Sequence, residues 1–331
     1  MSNYKLKVEV FKLTLNHNKE KVSDPSFRDL LHIKFSPKND LKDNEIYKVF
    51  NKDLSNRLDN KGEYHQVTEK SKRAFSVQNI PQLNSGESYL FGVLKGGVKG
   101  DNKTSSNMTD KDQSDSLDGK VINNEHFFLI YFPLESNTGF VFFQSYPQEN
   151  IRTDFITFLS RNIFCYERIY HRIKPEAYLP KELKSEFSKG SEVSQLTFTD
   201  RILSSDLSGE GSFTNGPSHY SVKVIIEPRD GKIKTDTFEK KFLEKIIGNS
   251  ALGKKLEKFA KRRGKLKKGG QETAFKIGGV DEILPIVQLG SEYIDTKTGK
   301  PNYESLRKYC LNLLTSIKND FYKNSKRSII D

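Results

Sequence analysis

Apolar residues in this chain recur with two different periods, and the change between them marks its clearest stretch. Glu125 to Phe132 (Glu-His-Phe-Phe-Leu-Ile-Tyr-Phe) is a short aromatic and β-branched run closed by Pro133, and Phe140-Val141-Phe142-Phe143 is a second. Between them, Glu135-Ser136-Asn137-Thr138-Gly139 consists of turn formers. Two apolar runs around such a loop predict a β-hairpin. After Pro147 the period lengthens: Ile151, Phe155, Phe158, Leu159 and Ile163 fall on one face of a helix, the nearest cover for so apolar a hairpin.

The same reading extends in both directions. Tyr4, Leu6, Val8 and Val10 alternate with polar residues as a half-buried strand does, and Ile46, Val49, Phe50 and Leu54 predict a helix over 43–58. Short strands are expected at 75–80, 89–94, 166–173, 193–202, 220–226 and, interrupted by Pro285, 283–289. Pro180 to Phe187 reads as a helix with proline in its first turn. Helices are also expected from Phe238 through Ile246 and from Ser250 through Phe259, and Leu306 to Phe321 reads as a closing amphipathic helix. Residues 99–120, polar and rich in aspartate, read as a flexible insertion within a domain, and 204–218 as a Gly/Ser-rich loop. The predicted class is α+β, with an antiparallel or mixed sheet around the hairpin and a basic, more helical C-terminal portion. The expected division is 1–165 and 166–331, as two domains or as one.

Composition changes this picture in one respect. Mean hydropathy is −0.67, yet 23 Phe and 14 Tyr supply enough large side chains for a core. Cys165 and Cys310 are too few for a disulfide framework and read as buried thiols. No run of about 18 apolar residues could span a bilayer, and the first residues resemble no signal peptide, so no membrane partner and a cytoplasmic location are expected.

Charge is more specific. Of the net +12, the segment 254–268 contributes +8: Lys254, Lys255, Lys258, Lys261, Arg262, Arg263, Lys265, Lys267 and Lys268 oppose Glu257 alone. Read as a lysine-rich helix end followed by a loop, it predicts phosphate contacts, with Gly264, Gly269 and Gly270 letting the backbone approach a polyanion. With only Phe259 as an aromatic among the charges, the expected binding is directed at the phosphate backbone and leaves DNA and RNA unresolved.

Other chemistry is thinner. Gly96 to Thr104 (Gly-Gly-Val-Lys-Gly-Asp-Asn-Lys-Thr) follows a strand as a phosphate loop would, but Asn102 stands where that motif has glycine. The six histidines show no paired metal-ligand spacing, and no resident metal or cofactor is expected. Glu227, Asp230, Asp236 and Glu239, with Lys240 or Lys241, form the best local carboxylate cluster for a Mg²⁺-dependent nuclease. A third alternative is a protein-interaction module whose basic segment docks an acidic partner.

The order of strand, helix, strand, polar insertion, hairpin and helix, with the strand Gly139-Phe140-Val141-Phe142-Phe143-Gln144, resembles uncharacterised bacterial families encoded beside anti-phage defence genes. The likeness covers about half of the chain. It implies an accessory role in antiviral defence, as a non-catalytic subunit or sensor, and carries no functional residues with it.

Overall fold

A computed structural model of the chain describes residues 6–35, 41–60, 63–65, 72–107, 109–146, 151–203, 219–229, 233–235, 251–277 and 283–325. The fold is α+β, with a mostly antiparallel sheet around the hairpin that the sequence predicts. Two compact units divide the chain. The first comprises 1–178 with 290–314, the second 179–289 with 315–331, so the first unit runs past the expected boundary at residue 165 and regains a later segment.

In the first unit, β1 (Lys7–Thr14) leads through the two-residue β2 (Asn16–His17) into α1 (Phe27–Phe35) and α2 (Asp43–Leu58). Ser26 and Asp29 cap α1 reciprocally: the Ser26 backbone N–H donates to Asp29 Oδ2 at 3.0 Å, and the Asp29 N–H to Ser26 Oγ at 3.2 Å. Along α2 the helical period turns Ile46, Tyr47, Phe50, Leu54 and Leu58 inward. Short strands β3 (Asp59–Asn60) and β4 (Glu63–Tyr64) pair with each other, followed by β5 (Arg73–Val77), β6 (Gln82–Asn84) and β7 (Tyr89–Lys99). Next come β8 (Thr104–Asn107), β9 (Asp110–Ser116), β10 (Val121–Tyr131) and β11 (Thr138–Ser145). Within this unit the strands lie in the order β1, β11, β10, β7, β5, with β6 also paired to β7.

The hairpin of β10 and β11 sets Phe128 opposite Phe143 and Ile130 opposite Val141, and 127–132 and 140–145 are buried on both faces. Each large side chain removed from water contributes about 1.5–3 kcal/mol, which makes this pair the unit's energetic centre. Gly139 is required where the hairpin closes: a Cβ there would lie 2.6 Å from the Tyr131 carbonyl oxygen and 3.1 Å from the Phe27 ring. The predicted covering helix is present as α3 (Arg152–Phe158), continued by a π turn through Ile163. Phe155 meets Phe128 and Phe143 at ring-centroid distances of 5.2 and 5.6 Å. Short strands β12 (Tyr170–His171) and β13 (Glu176–Tyr178) complete this part, and β12 is all that forms of the strand expected at 166–173.

The insertion expected to be flexible at 99–120 contains paired strands. The β7–β10 ladder continues to Lys99 opposite Val121, and β8 pairs with β9 beyond it. Polar groups hold the join: the Asn102 N–H donates to Asp118 Oδ1 at 2.7 Å, and the Leu117 N–H to the Lys103 carbonyl at 2.9 Å. An exposed hairpin bonded in this way needs no apolar face.

In the second unit, α4 (Lys181–Ser188) precedes β14 (Ser191–Leu203), β15 (His219–Ile226) and β16 (Ile233–Thr235). Then follow α5 (Ala251–Glu257), β17 (Lys261–Lys268), β18 (Gln271–Lys276) and β19 (Ile283–Gln288). These strands lie in the order β15, β14, β17, β18, β19, all antiparallel. The closing helix α6 (Tyr303–Ser325) forms where its period predicts; its residues to 314, with Leu306 and Cys310 fully buried, belong to the first unit, and the rest, with Ile317 fully buried, to the second. The loop expected at 204–218 and the helix expected from Phe238 to Ile246 lie outside the described residues.

Candidate nucleic-acid interface

The basic segment is mostly strand, which corrects the helix-and-loop expectation. Helix α5 stops at Glu257, and Lys261-Arg262-Arg263-Gly264-Lys265-Leu266-Lys267-Lys268 forms β17, hydrogen-bonded on both sides. So polar a run is held by its inward-facing alternate positions. Leu266 is buried, and Gly264 leaves room for Phe275: a Cβ at 264 would lie 2.3 Å from that ring and 3.0 Å from Leu196 Cδ2. Gly264 therefore serves the packing of the sheet and not the approach of a ligand. Gly269 and Gly270, at φ +54° and +83°, form the two-residue turn between Lys268 and Gln271, which needs positive φ at both positions.

Strand alternation then sorts the cations. Lys261, Arg263, Lys265 and Lys267 project from one face of the sheet, while Arg262, Gly264, Leu266 and Lys268 lie on the other. The second face is the covered one. Val193, Leu196, Phe198, Leu266 and Phe275 are buried there together with Leu183 and Phe187 of α4 and Leu256 of α5. Phe259, just beyond α5, sets its ring edge-on to Phe198 at 6.4 Å. Leu252, on the same helix, is 55% exposed.

Two of the predicted phosphate contacts are used structurally on this covered face. Arg262 Nη1 donates to the Glu257 carbonyl at 2.8 Å, at the end of α5. Lys268 Nζ donates to the Glu186 and Lys189 carbonyls at 2.8 and 2.9 Å, at the end of α4. A cation there complements the helix C-terminus. Lys254, Lys255 and Lys258 are exposed on and just after α5, which packs on the covered face, so they do not share a surface with the β17 row. The nine cations are thus not gathered into one patch.

The open face gains cations that the sequence reading missed. Register places Lys223 of β15 and Lys261 of β17 on either side of Thr199 in β14. One step along, Ile225, Thr197, Arg263 and Lys276 form the next row, and Arg201 lies one step the other way, opposite Ser221. Arg201, Lys223, Lys261, Arg263 and Lys276 are all exposed, and no described residue on this face is buried. The one available signal was the two-residue repeat of Ser221, Lys223 and Ile225 against Val222, Val224 and Ile226; joining it to β17 requires the pairing register.

The opposite end of the face carries acids. Lys267 lies in register between Glu192 and Glu272, and Lys265 Nζ is 3.4 Å from Glu272 Oε1. Glu227 accepts a hydrogen bond from Gln195 Nε2. Among the described residues, the acids of this face therefore lie away from Lys261 and Arg263.

Of the carboxylate cluster considered for a nuclease, Glu227 alone is described; Asp230, Asp236 and Glu239, with Lys240 and Lys241, lie outside the described residues. Among the described residues, no group of three or more His, Cys, Asp or Glu side chains could hold a metal ion. Nor is any helix among them long and apolar enough to cross a membrane. No family model matches the chain, and a search of curated proteins finds no match.

Proposed function

We propose that the chain is a nucleic-acid-binding protein that contacts backbone phosphates through the open face of its second unit. One observation carries the reading: alternation and register bring Arg201, Lys223, Lys261, Arg263 and Lys276 onto one sheet face on which no described residue is buried and no described acid stands between them. Lys265 and Lys267 extend the row toward its acidic end. Lysine and arginine here are suited to phosphate charge, and the short side chains between them, Thr197, Thr199 and Ser221, offer no extended reading of base edges. In the setting that the resemblance to defence-associated families implies, such a face would serve a sensor or accessory subunit.

The test is a salt series of binding to labelled DNA and RNA, with Lys261→Gln and Arg263→Gln as variants. Each should flatten the slope of log affinity against log salt by about 0.9 and weaken all sequences alike. An unchanged slope in both variants refutes this assignment of the phosphate contacts.

A further inference from the structure

We infer that the preferred ligand of this face is duplex nucleic acid and not a single strand, an inference that rests on phosphate binding at the same residues. The first ground is shape. Alternate positions on a strand lie about 6.8 Å apart and neighbouring strands about 4.8 Å apart. The five exposed cations therefore cover a patch of about 14 Å by 14 Å, two-dimensional and not a track. Over about 14 Å of its axis a B-form duplex presents about eight phosphates, twice what one of its strands presents over the same length. Its minor groove is only about 6 Å wide, so both rims fall within the patch.

The second ground is what the face lacks. Proteins that hold single strands combine a basic groove with aromatic side chains on which unpaired bases stack. Between these cations stand Thr197, Thr199, Ser221, Ile225 and Ala274, while Phe198, Phe275 and Tyr220 belong to the other face. Among the described residues the one ring on the open face is His219, at the start of β15. A single strand would gain charge neutralisation there without stacking. A duplex, whose bases are already stacked on one another, forfeits nothing.

The experiment measures the affinity of the full chain for a mixed-sequence 20-base-pair duplex, as DNA and as RNA, and for each separated strand at matched salt. The expected result is at least tenfold tighter binding of a duplex, with a salt slope of about −4 to −5 for five phosphate contacts. Thr199→Tyr, which sets a ring between Lys223 and Lys261, should raise single-strand affinity at least fivefold. Equal or tighter binding of the strands by the unaltered chain overturns the duplex inference and leaves phosphate binding standing. A folded Thr199→Tyr variant without that gain also overturns it, because the missing platform would then not be what disfavours single strands. No binding of any nucleic acid at 50 mM salt overturns both readings. So does polyglutamate competing as strongly as the duplex, which would favour an acidic protein partner.

Discussion

His126 offers a quantitative check on the packing of the first unit. It begins the most buried part of β10, is 0% exposed, and lies nearly parallel to the Phe143 ring at 5.6 Å, with Tyr146 edge-on to it. Its Nδ1 is 3.3 Å from the Gln144 carbonyl oxygen, so a neutral ring protonated at Nδ1 donates there. Burial holds its pKa down to about 4, against 6.5 for a free histidine, with backbone hydrogen bonds partly opposing. Between these values the unfolded chain binds more protons than the folded one, so stability rises with pH across this window. The contribution is complete above pH 6.5 and is lost as pH falls toward 4, with a slope approaching 1.4 kcal/mol per pH unit and a total of about 3 kcal/mol. Glu9 acts in the opposite sense. Burial raises its pKa despite Arg152, so the folded chain takes up its proton first and gains stability as pH falls through that range. Urea unfolding of the natural chain and of His126→Phe, followed from pH 7.5 to 4.5, separates the two, because Glu9 is common to both. The natural chain should lose about 2 kcal/mol more than the variant over that range. Parallel curves would show that the ring is not buried neutral, and the account of the β10 interior would fail.

Two substitutions probe the sheet beneath the candidate interface. Gly264→Ala places a methyl group 2.3 Å from Phe275 and should cost about 1–3 kcal/mol in chemical unfolding; an unchanged midpoint would mean that Phe275 does not pack over the basic strand. Lys268→Met removes the cation from the end of α4 and should lower stability by about 1 kcal/mol while leaving the salt slope of nucleic-acid binding as it was. A flatter slope would instead return Lys268 to the phosphate contacts.

The legible parts of this fold are those where burial writes its period directly into the residue types. Phe128, Ile130, Val141 and Phe143 could be paired, and Ile151, Phe155 and Phe158 laid over them, because every position in question is apolar. The basic strand hides the same signal. Only Leu266 is apolar among its four inward positions: Gly264 has no side chain, and Arg262 and Lys268 spend their charges on helix-end carbonyls. Lysine is also a good helix former, so the run reads as a continuation of α5. The Gly269-Gly270 pair was in plain view as a two-residue hairpin turn, and taking it as one would have converted the lysines before it into a strand. Arg201, Lys223 and Lys276 were beyond any local pattern, since only the register of β15, β14, β17 and β18 brings them beside Arg263.

The described acids on the open face are confined to one end of it. Like charges about 7 Å apart repel by about 0.6 kcal/mol per pair in water, so a strand with four outward cations costs stability unless counter-charges are supplied. At one end they are: Glu272 lies against Lys265, and Glu192 and Glu272 flank Lys267. At the other end the positions beside Lys261 and Arg263 hold Thr199, Thr197 and Lys276, although glutamate in place of either threonine would relieve the same repulsion. Threonine suits a strand and so explains itself. Lys276 directly opposite Arg263 adds a like charge to this end, which destabilises the pair taken by itself. Under the proposed function, phosphate anions would offset the repulsion at the Lys261 and Arg263 end of the strand.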